Sequence, residues 1–274
     1  MHPLLNVAVS AARKGGSTLI RSSRRLEELN VSAKGRNDFV SDADRAAEAR
    51  IIEEIRKHYP EHGILAEESG HEPGRDDSVV WIIDPLDGTN NFIHGFPTYA
   101  VSIGVKVNNR LSQGVVYDPM RQELFTASRG DGAQLDGKRI RVSGRVQLKE
   151  SLIGTGFPYR ESQTAGLDAY LSLLSLVLQN SAGIRRAGAA ALDLAYVAAG
   201  RLDAFWEFGL KSWDIAAGAL LIREAGGIVS AIDGSEDYLD RGHVLAGSPR
   251  IYAALATLLA NKSQKAIETL TDLT

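Results

Sequence analysis

No cysteine occurs anywhere in the 274 residues. Disulfides, thiolate metal sites and cysteine nucleophiles are therefore excluded, and a reducing compartment is compatible with the chain. Charge of one sign is also lacking: 31 basic residues stand against 34 acidic ones. The basic residues are scattered, with Arg24-Arg25 and Arg185-Arg186 the two Arg-Arg pairs, so direct sequence-specific nucleic-acid binding by bulk electrostatics is not indicated. No apolar run reaches 18 residues, which gives no membrane span. Met1–Ser10 has no basic segment ahead of an apolar one, so no signal peptide is expected and the chain reads as cytoplasmic. The sequence holds no Gly-x-x-x-x-Gly-Lys-Ser/Thr, Gly-x-Ser-x-Gly or His-Glu-x-x-His. His58 and His62 are four apart, but Pro60 between them argues against one helical face.

What is present is ordinary globular material, long enough to bury a substantial core. Apolar spacing predicts a first helix from Leu4 to Ile20, interrupted at Gly15-Gly16. A second helix is capped by Ser41 or Asp42 and stopped at Tyr59-Pro60. Gly63–Ala66 and Val79–Ile83 read as strands. From Tyr99 to Tyr117 alternation sets in, with a turn at Asn108-Asn109, and Glu123–Ala127 adds a strand. Arg129–Gly137 reads as a surface turn. Farther on come a strand at Leu152–Gly154 and a helix over Leu167–Leu178. A small-residue helix, Ala189–Ala199, is closed by Gly200. A strand at Asp203–Phe208, a helix over Trp213–Ala225, a strand at Ile228–Ser230 and a helix over Tyr252–Leu259 complete the reading. The expected class is α+β, with sheets layered between helix pairs.

The most informative segment runs from Val79 to Phe92. An apolar strand ends and Asp84 follows at once, then Asp87. Pro85 restricts the backbone, Gly88 permits conformations other residues resist, and Thr89 suits a helix cap. Two carboxylates at a strand end beside free N–H groups offer both halves of a metal–phosphate site. Asp-x-x-Asp-Gly read alone is equally a capped turn. Glu67-Glu68 follows the strand Ile64–Ala66, and Asp214 opens an apolar helix. Carboxylates at three element ends, each just past an apolar run, are costly near a core unless a cation balances them. For Asp214, spacing alone leaves a helix cap or first-turn acid open.

These segments resemble the inositol monophosphatase family, especially its bacterial extragenic-suppressor (SuhB) branch. The resemblance is carried by Glu67-Glu68-Ser69, by Trp81 to Phe92 through Asp84-Pro85-Leu86-Asp87-Gly88-Thr89, by Arg185 to Gly200, and by Trp213-Asp214-Ile215-Ala216-Ala217-Gly218 through Glu224-Ala225-Gly226-Gly227. It covers nearly the whole chain, to about Leu259. Asn90 departs from the pattern, standing where the family usually has a second threonine.

The resemblance implies a layered αβαβα sandwich in one unit. Residues 1–145 form a half carrying the metal site, 146–262 a second α/β half, and 263–274 a polar tail. It implies Mg2+-dependent hydrolysis of a small phosphate monoester such as myo-inositol monophosphate, with lithium sensitivity and two to three ions per site. By resemblance Glu67, Asp84 and the Leu86 carbonyl hold one ion. Asp84, Asp87 and Asp214 hold a second, and a third, weaker one lies near Glu67. Thr89, hydrogen-bonded to Asp44, holds and activates water, although Asp44 also reads as a first-turn acid of the second helix. The phosphate meets Gly88 and Thr89. The alcohol meets Asp87, Gly188, Ala189, Ala190, Glu207 and Asp214. Without the resemblance, Glu207 reads as an exposed strand residue, Gly188–Ala190 as close helix packing, and Arg185-Arg186 as a solvated pair. A homodimer is implied, and for this branch a separable role with RNA polymerase and Nus-factor antitermination complexes.

Overall fold

The computed structural model describes residues 2–35, 38–158 and 165–271. In the first half, helix α1 (Pro3–Ser23) leads to a hairpin of β1 (Val31–Gly35) and β2 (Asp38–Ser41), then α2 (Asp42–His58). An eight-stranded sheet follows. Its members are β3 (His62–Ala66), β4 (Gly70–Glu72), β5 (Asp76–Asp87), β6 (Ala100–Val107), β7 (Arg110–Asp118), β8 (Glu123–Ser128), β9 (Gly132–Leu135) and β10 (Lys138–Arg139), with the short helix α3 (Thr89–Ile93) after β5. The second half contains β11 (Leu152–Thr155), α4 (Leu167–Asn180), β12 (Gly183–Arg185), α5 (Ala190–Ala198), β13 (Ala204–Glu207) and α6 (Ser212–Glu224). It ends with β14 (Ile228–Ser230), α7 (Tyr238–Arg241), β15 (Val244–Gly247) and α8 (Pro249–Thr271). Its five strands form a second, mixed sheet in the order β12-β11-β13-β15-β14.

Five layers result. Trp81 and Ile83 of β5 pack with Ile51 and Ile55 of α2 and Ala8 and Leu19 of α1. Ile82, pointing the other way, joins α5 and α6 between the two sheets, where Phe205 of the second sheet meets them. Trp206 then faces α4 and α8 beyond. Strands covered on both faces need no polar side, which explains the unbroken apolar run before Asp84. The layered αβαβα arrangement read from the sequence is the one observed. No described helix is long and apolar enough to cross a membrane.

Three expectations change. Gly15-Gly16 does not interrupt α1. Both glycines are buried, and a Cβ at Gly15 would lie 2.8 Å from Ile51, one at Gly16 2.6 Å from the Tyr117 ring. They let α1 press onto α2 and the sheet rather than break it. Arg129–Gly137 is not one surface turn, because Gly132–Leu135 pairs with β8 as β9. The last helix runs on to Thr271, across most of the expected tail. Strand β15 went unread, although it lies between β13 and β14 in the second sheet. The Asn108-Asn109 turn is as expected, both residues adopting positive φ (49° and 58°) in a two-residue hairpin loop.

Candidate active site

Strand β5 stays in the sheet to its last residue. Asp84 pairs with Ser102 and Asp87 with Ala100, and an irregularity between them turns both carboxylates toward one recess. The Leu86 N–H donates to Asp84 Oδ1 at 2.9 Å, so the loop fixes its own first acid. Gly88 then adopts φ 95°, a left-handed conformation that costs an L side chain free energy, and α3 begins. Asn90 lines the recess, and the helical turn forms across it through Phe92 N–H to the Gly88 carbonyl at 3.0 Å. Asn91 ties this turn to the loop before α5, donating to the Ala187 carbonyl at 2.8 Å and to that of Thr98 at 2.7 Å.

Helix α2 enters from beneath. Ser41 caps it, and the Ser41 N–H and Oγ both donate to Asp44 Oδ2, at 2.8 and 2.6 Å. The other carboxylate oxygen, Asp44 Oδ1, lies 2.9 Å from Thr89 Oγ1, which is also 3.1 Å from the Leu86 carbonyl. Asp44 is thus the first-turn acid of a capping box and the partner of Thr89 at once. Glu67 follows β3, its N–H donating to the Ile83 carbonyl and extending the β3–β5 pairing by one bond.

The remaining acids come from the second half. Asp214 sits in the first turn of α6, where its Oδ2 accepts the Lys211 N–H at 2.7 Å. It therefore caps the helix as well as lining the recess. Ser102, opposite Asp84, donates to the Trp213 carbonyl at 3.0 Å and pins that helix start to the first sheet. Asp87 accepts the N–H groups of Ala190 (3.2 Å) and Ala191 (2.7 Å) at the start of α5. Gly188, Ala189 and Ala190 line the recess beside it, Gly188 at φ 81°. Glu207, at the end of β13, is half-buried on the recess wall, not an exposed strand residue.

Six carboxylates line this recess: Glu67, Asp84, Asp87, Asp193, Glu207 and Asp214. Arg186 is the one cation on its wall among the described residues. Burial, then the charges of Glu67, Asp87 and Asp214, hold Asp84 well above the ordinary carboxylate range. Burial and Asp214 do the same to Asp87, partly opposed by the Ala191 N–H. Asp44 is raised by burial, with Ser41 and Thr89 opposing. Among the described residues no three acidic or imidazole side chains are already drawn together as a ligand set.

Residues 1–268 match the inositol monophosphatase family. The chain belongs to that family. The Nus factor SuhB of Pseudomonas aeruginosa is 54% identical over 261 residues, spanning 94% of this chain and 96% of that protein. The crystal structure of the extragenic suppressor protein suhB from Bartonella henselae superposes with a TM-score of 0.92. It is 45% identical and covers 95% of this chain and 100% of that one. The inositol monophosphatase of Anabaena (Nostoc) is 38% identical, with a TM-score of 0.84 over 96% of this chain and 98% of that one.

For this inositol monophosphatase family member, folding brings Asp44, Glu67, Asp84, Leu86, Asp87, Gly88, Thr89, Gly188, Ala189, Ala190, Glu207 and Asp214 around one recess. Thr155, Gly156, Asp193 and Leu210 also line the recess, with nothing in the sequence assigning them a role there. Asp193, 2% exposed, is raised well above its usual range by burial and by Asp87. Arg186 is exposed, as a solvated charge is expected to be, but it also lines the recess, and its guanidinium lies 5.1 Å from the centre of the Phe157 ring. Gly156 leaves the space that the Glu207 carboxylate occupies, and any Cβ there would collide with it. The pattern Arg185-Arg186 was visible, but nothing in it said which of the two turns inward.

Proposed function

We propose that this protein is a magnesium-dependent phosphatase that hydrolyses myo-inositol monophosphate, or a similar polyol phosphate, to the alcohol and inorganic phosphate. The carrying observation is the acidic recess in which Asp84 and Asp87 are held far above their ordinary range beside Glu67 and Asp214, with the Thr89–Asp44 pair at one side. Such a donor set fits a hard divalent cation. It offers carboxylate oxygens and the Leu86 carbonyl, with no thiolate, and its negative charge exceeds what Arg186 can balance.

Glu67, Asp84 and Leu86 would hold one ion, Asp84, Asp87 and Asp214 a second, and Glu67 would help hold a weaker third. Bound there, the ions supply charge neutralisation for the phosphoryl group and acidify water. Thr89 Oγ1 donates to Asp44, leaving its lone pairs to accept from the attacking water. The proton then passes to Thr89 Oγ1 while its own moves to Asp44 Oδ1, a carboxylate that burial makes more basic. The Gly88 and Thr89 N–H groups face the phosphate. Glu207, Asp214, Asp87 and the Gly188–Ala190 segment orient the alcohol, so the choice of leaving group rests mainly with the second half of the chain. Phosphate release from a panel of inositol, sugar and nucleotide monophosphates, with and without magnesium, tests this reading. No release from any of them sinks it.

A second role is favoured by the 54%-identical relative named a Nus factor. The protein would also join RNA polymerase and Nus-factor antitermination complexes. Co-purification of RNA polymerase with the tagged chain supports that role, and a clean negative leaves the phosphatase alone. Exposed Leu167, Leu171 and Leu178, spaced on one face of α4, favour a homodimer. Light scattering of the protein and its Leu171→Glu variant checks this.

A further inference from the structure

Helix α2 buries three carboxylates, Asp44, Glu48 and Glu54; the first two stand one turn apart, and only Asp44 belongs to the chemistry described above. Asp44 reaches Thr89. Glu48, 4% exposed, reaches the turn that follows Glu67 instead. Its Oε2 accepts the Glu68 N–H at 2.9 Å and its Oε1 the Ser69 N–H at 2.8 Å. Both its oxygens are therefore engaged by successive amides of the turn that follows Glu67. The Glu67 N–H, on the other side, is fixed to the Ile83 carbonyl at 3.1 Å. Glu67 is thus clamped at both neighbours: upstream by the sheet, downstream by Glu48.

We propose that Glu48 is a positioning residue that holds the Glu67 backbone in place for divalent-cation binding. The inference rests on the magnesium-phosphatase reading and extends it. A carboxylate is costly to bury unless its oxygens are satisfied. Two charge-assisted bonds to adjacent N–H groups satisfy this one and leave the turn little freedom. The i, i+4 spacing of Asp44 and Glu48 places both on one side of α2. One rigid helix therefore sets Thr89 through a side chain and Glu67 through its backbone, and the two effects separate. Loss of the Asp44 contact strikes turnover. Loss of the Glu48 contact strikes cation affinity, because groups supporting metal ligands typically contribute about 10–100-fold to it.

The test compares wild type, Glu48→Gln and Glu48→Ala by loss of the free Mn2+ resonance signal on binding, and by kcat against magnesium concentration. Glu48→Gln keeps shape and one acceptor but turns an NH2 group on the second amide. The expected result is Mn2+ affinity weakened by roughly 10–100-fold in Glu48→Ala and by less in Glu48→Gln, with kcat largely recovered at saturating magnesium. Wild-type Mn2+ affinity in both folded variants overturns the proposal, even if their melting temperatures fall. So does a loss of kcat that saturating magnesium does not recover. A wild type that binds no Mn2+ overturns the metal reading itself, which keeps the two failures apart.

Discussion

Thr89 Oγ1 lies 2.9 Å from Asp44 Oδ1, joining residues 45 positions apart. Neither is exposed enough to be an incidental surface pair: Asp44 is fully buried, and its second oxygen is already taken by Ser41. The hydroxyl proton is thereby aimed at the carboxylate, and the hydroxyl oxygen is left to accept. Thr89→Ala is expected to lower kcat by about 10²–10⁴-fold, in the range of lost acid–base groups, with KM little changed. Thr89→Ser should keep most of the activity. Steady-state kinetics on both variants checks this, and a fully active Thr89→Ala would remove the hydroxyl from the mechanism.

Asp87 ends β5 and Asp214 opens α6, yet after burial the Asp214 charge does most to raise Asp87 above its ordinary range. Asp87→Asn and Asp214→Asn are expected to cut phosphate release by at least about 10²-fold, as for groups acting as one unit. Neither should unfold the chain. Phosphate assay beside circular dichroism decides it: near-normal turnover at saturating magnesium in either variant refutes the two-ion assignment.

Metal removal makes a separate forecast. Chelation should abolish phosphate release and magnesium should restore it, with lithium inhibiting. Magnesium at about 100 times its Kd should add roughly 2.7 kcal/mol to stability, because it binds the folded state alone. Differential scanning fluorimetry with and without magnesium reads this, and an unchanged melting temperature at saturating magnesium counts against a folded-state site.

Gly156→Ala is expected to separate substrate selection from chemistry. A Cβ there would displace the Glu207 carboxylate, so Gly156→Ala should raise KM for inositol monophosphate by about tenfold, the cost of roughly one hydrogen bond to a charged group. A substrate lacking ring hydroxyls, such as p-nitrophenyl phosphate, should be little affected. Equal losses on both substrates would show that Glu207 does not read the alcohol.

Away from the site, Glu54 clamps α2 to α1, accepting from Ser10 Oγ and Lys14 Nζ, each at 2.5 Å. These bonds, with Lys14 the larger cause, hold its carboxyl below the ordinary value of 4.5. A depressed carboxylate stabilises the fold above its unfolded value, and that stability is lost as pH falls through the folded value. Glu54→Gln should therefore cost about 1 kcal/mol near neutral pH, and the difference from wild type should shrink below about pH 4.5. Urea titrations at pH 7 and pH 4 measure it; a difference that grows on acidification contradicts the assignment.

The sequence was sufficient wherever a signal is local. Ser41-Asp42 announces a helix start, Asn108-Asn109 a hairpin, and the alternation along β6 and β7 a sheet. The carboxylates past apolar strands pointed to a site, because such residues are costly near a core without a partner. Position in that core is where the local signal ran out. Gly15-Gly16 reads as a break, yet the pair exists so that Ile51 and Tyr117 can approach. Strand β15 is four residues between a glycine turn and a helix, too short to show a period.

Tertiary structure alone decided the rest. It turned Arg186 and Asp193 into the recess, set Gly156 under Glu207, and placed Glu48 behind Glu67. Propensity and periodicity act over about one helical turn or one strand pair. Convergence of residues from β3, β5, α2, β13 and α6 depends instead on how five layers close on one another, and nothing within a short window of sequence records that. The acidic loop at the end of β5 was legible from its own residues; the ring of groups that gives it a function exists only once both sheets are in place.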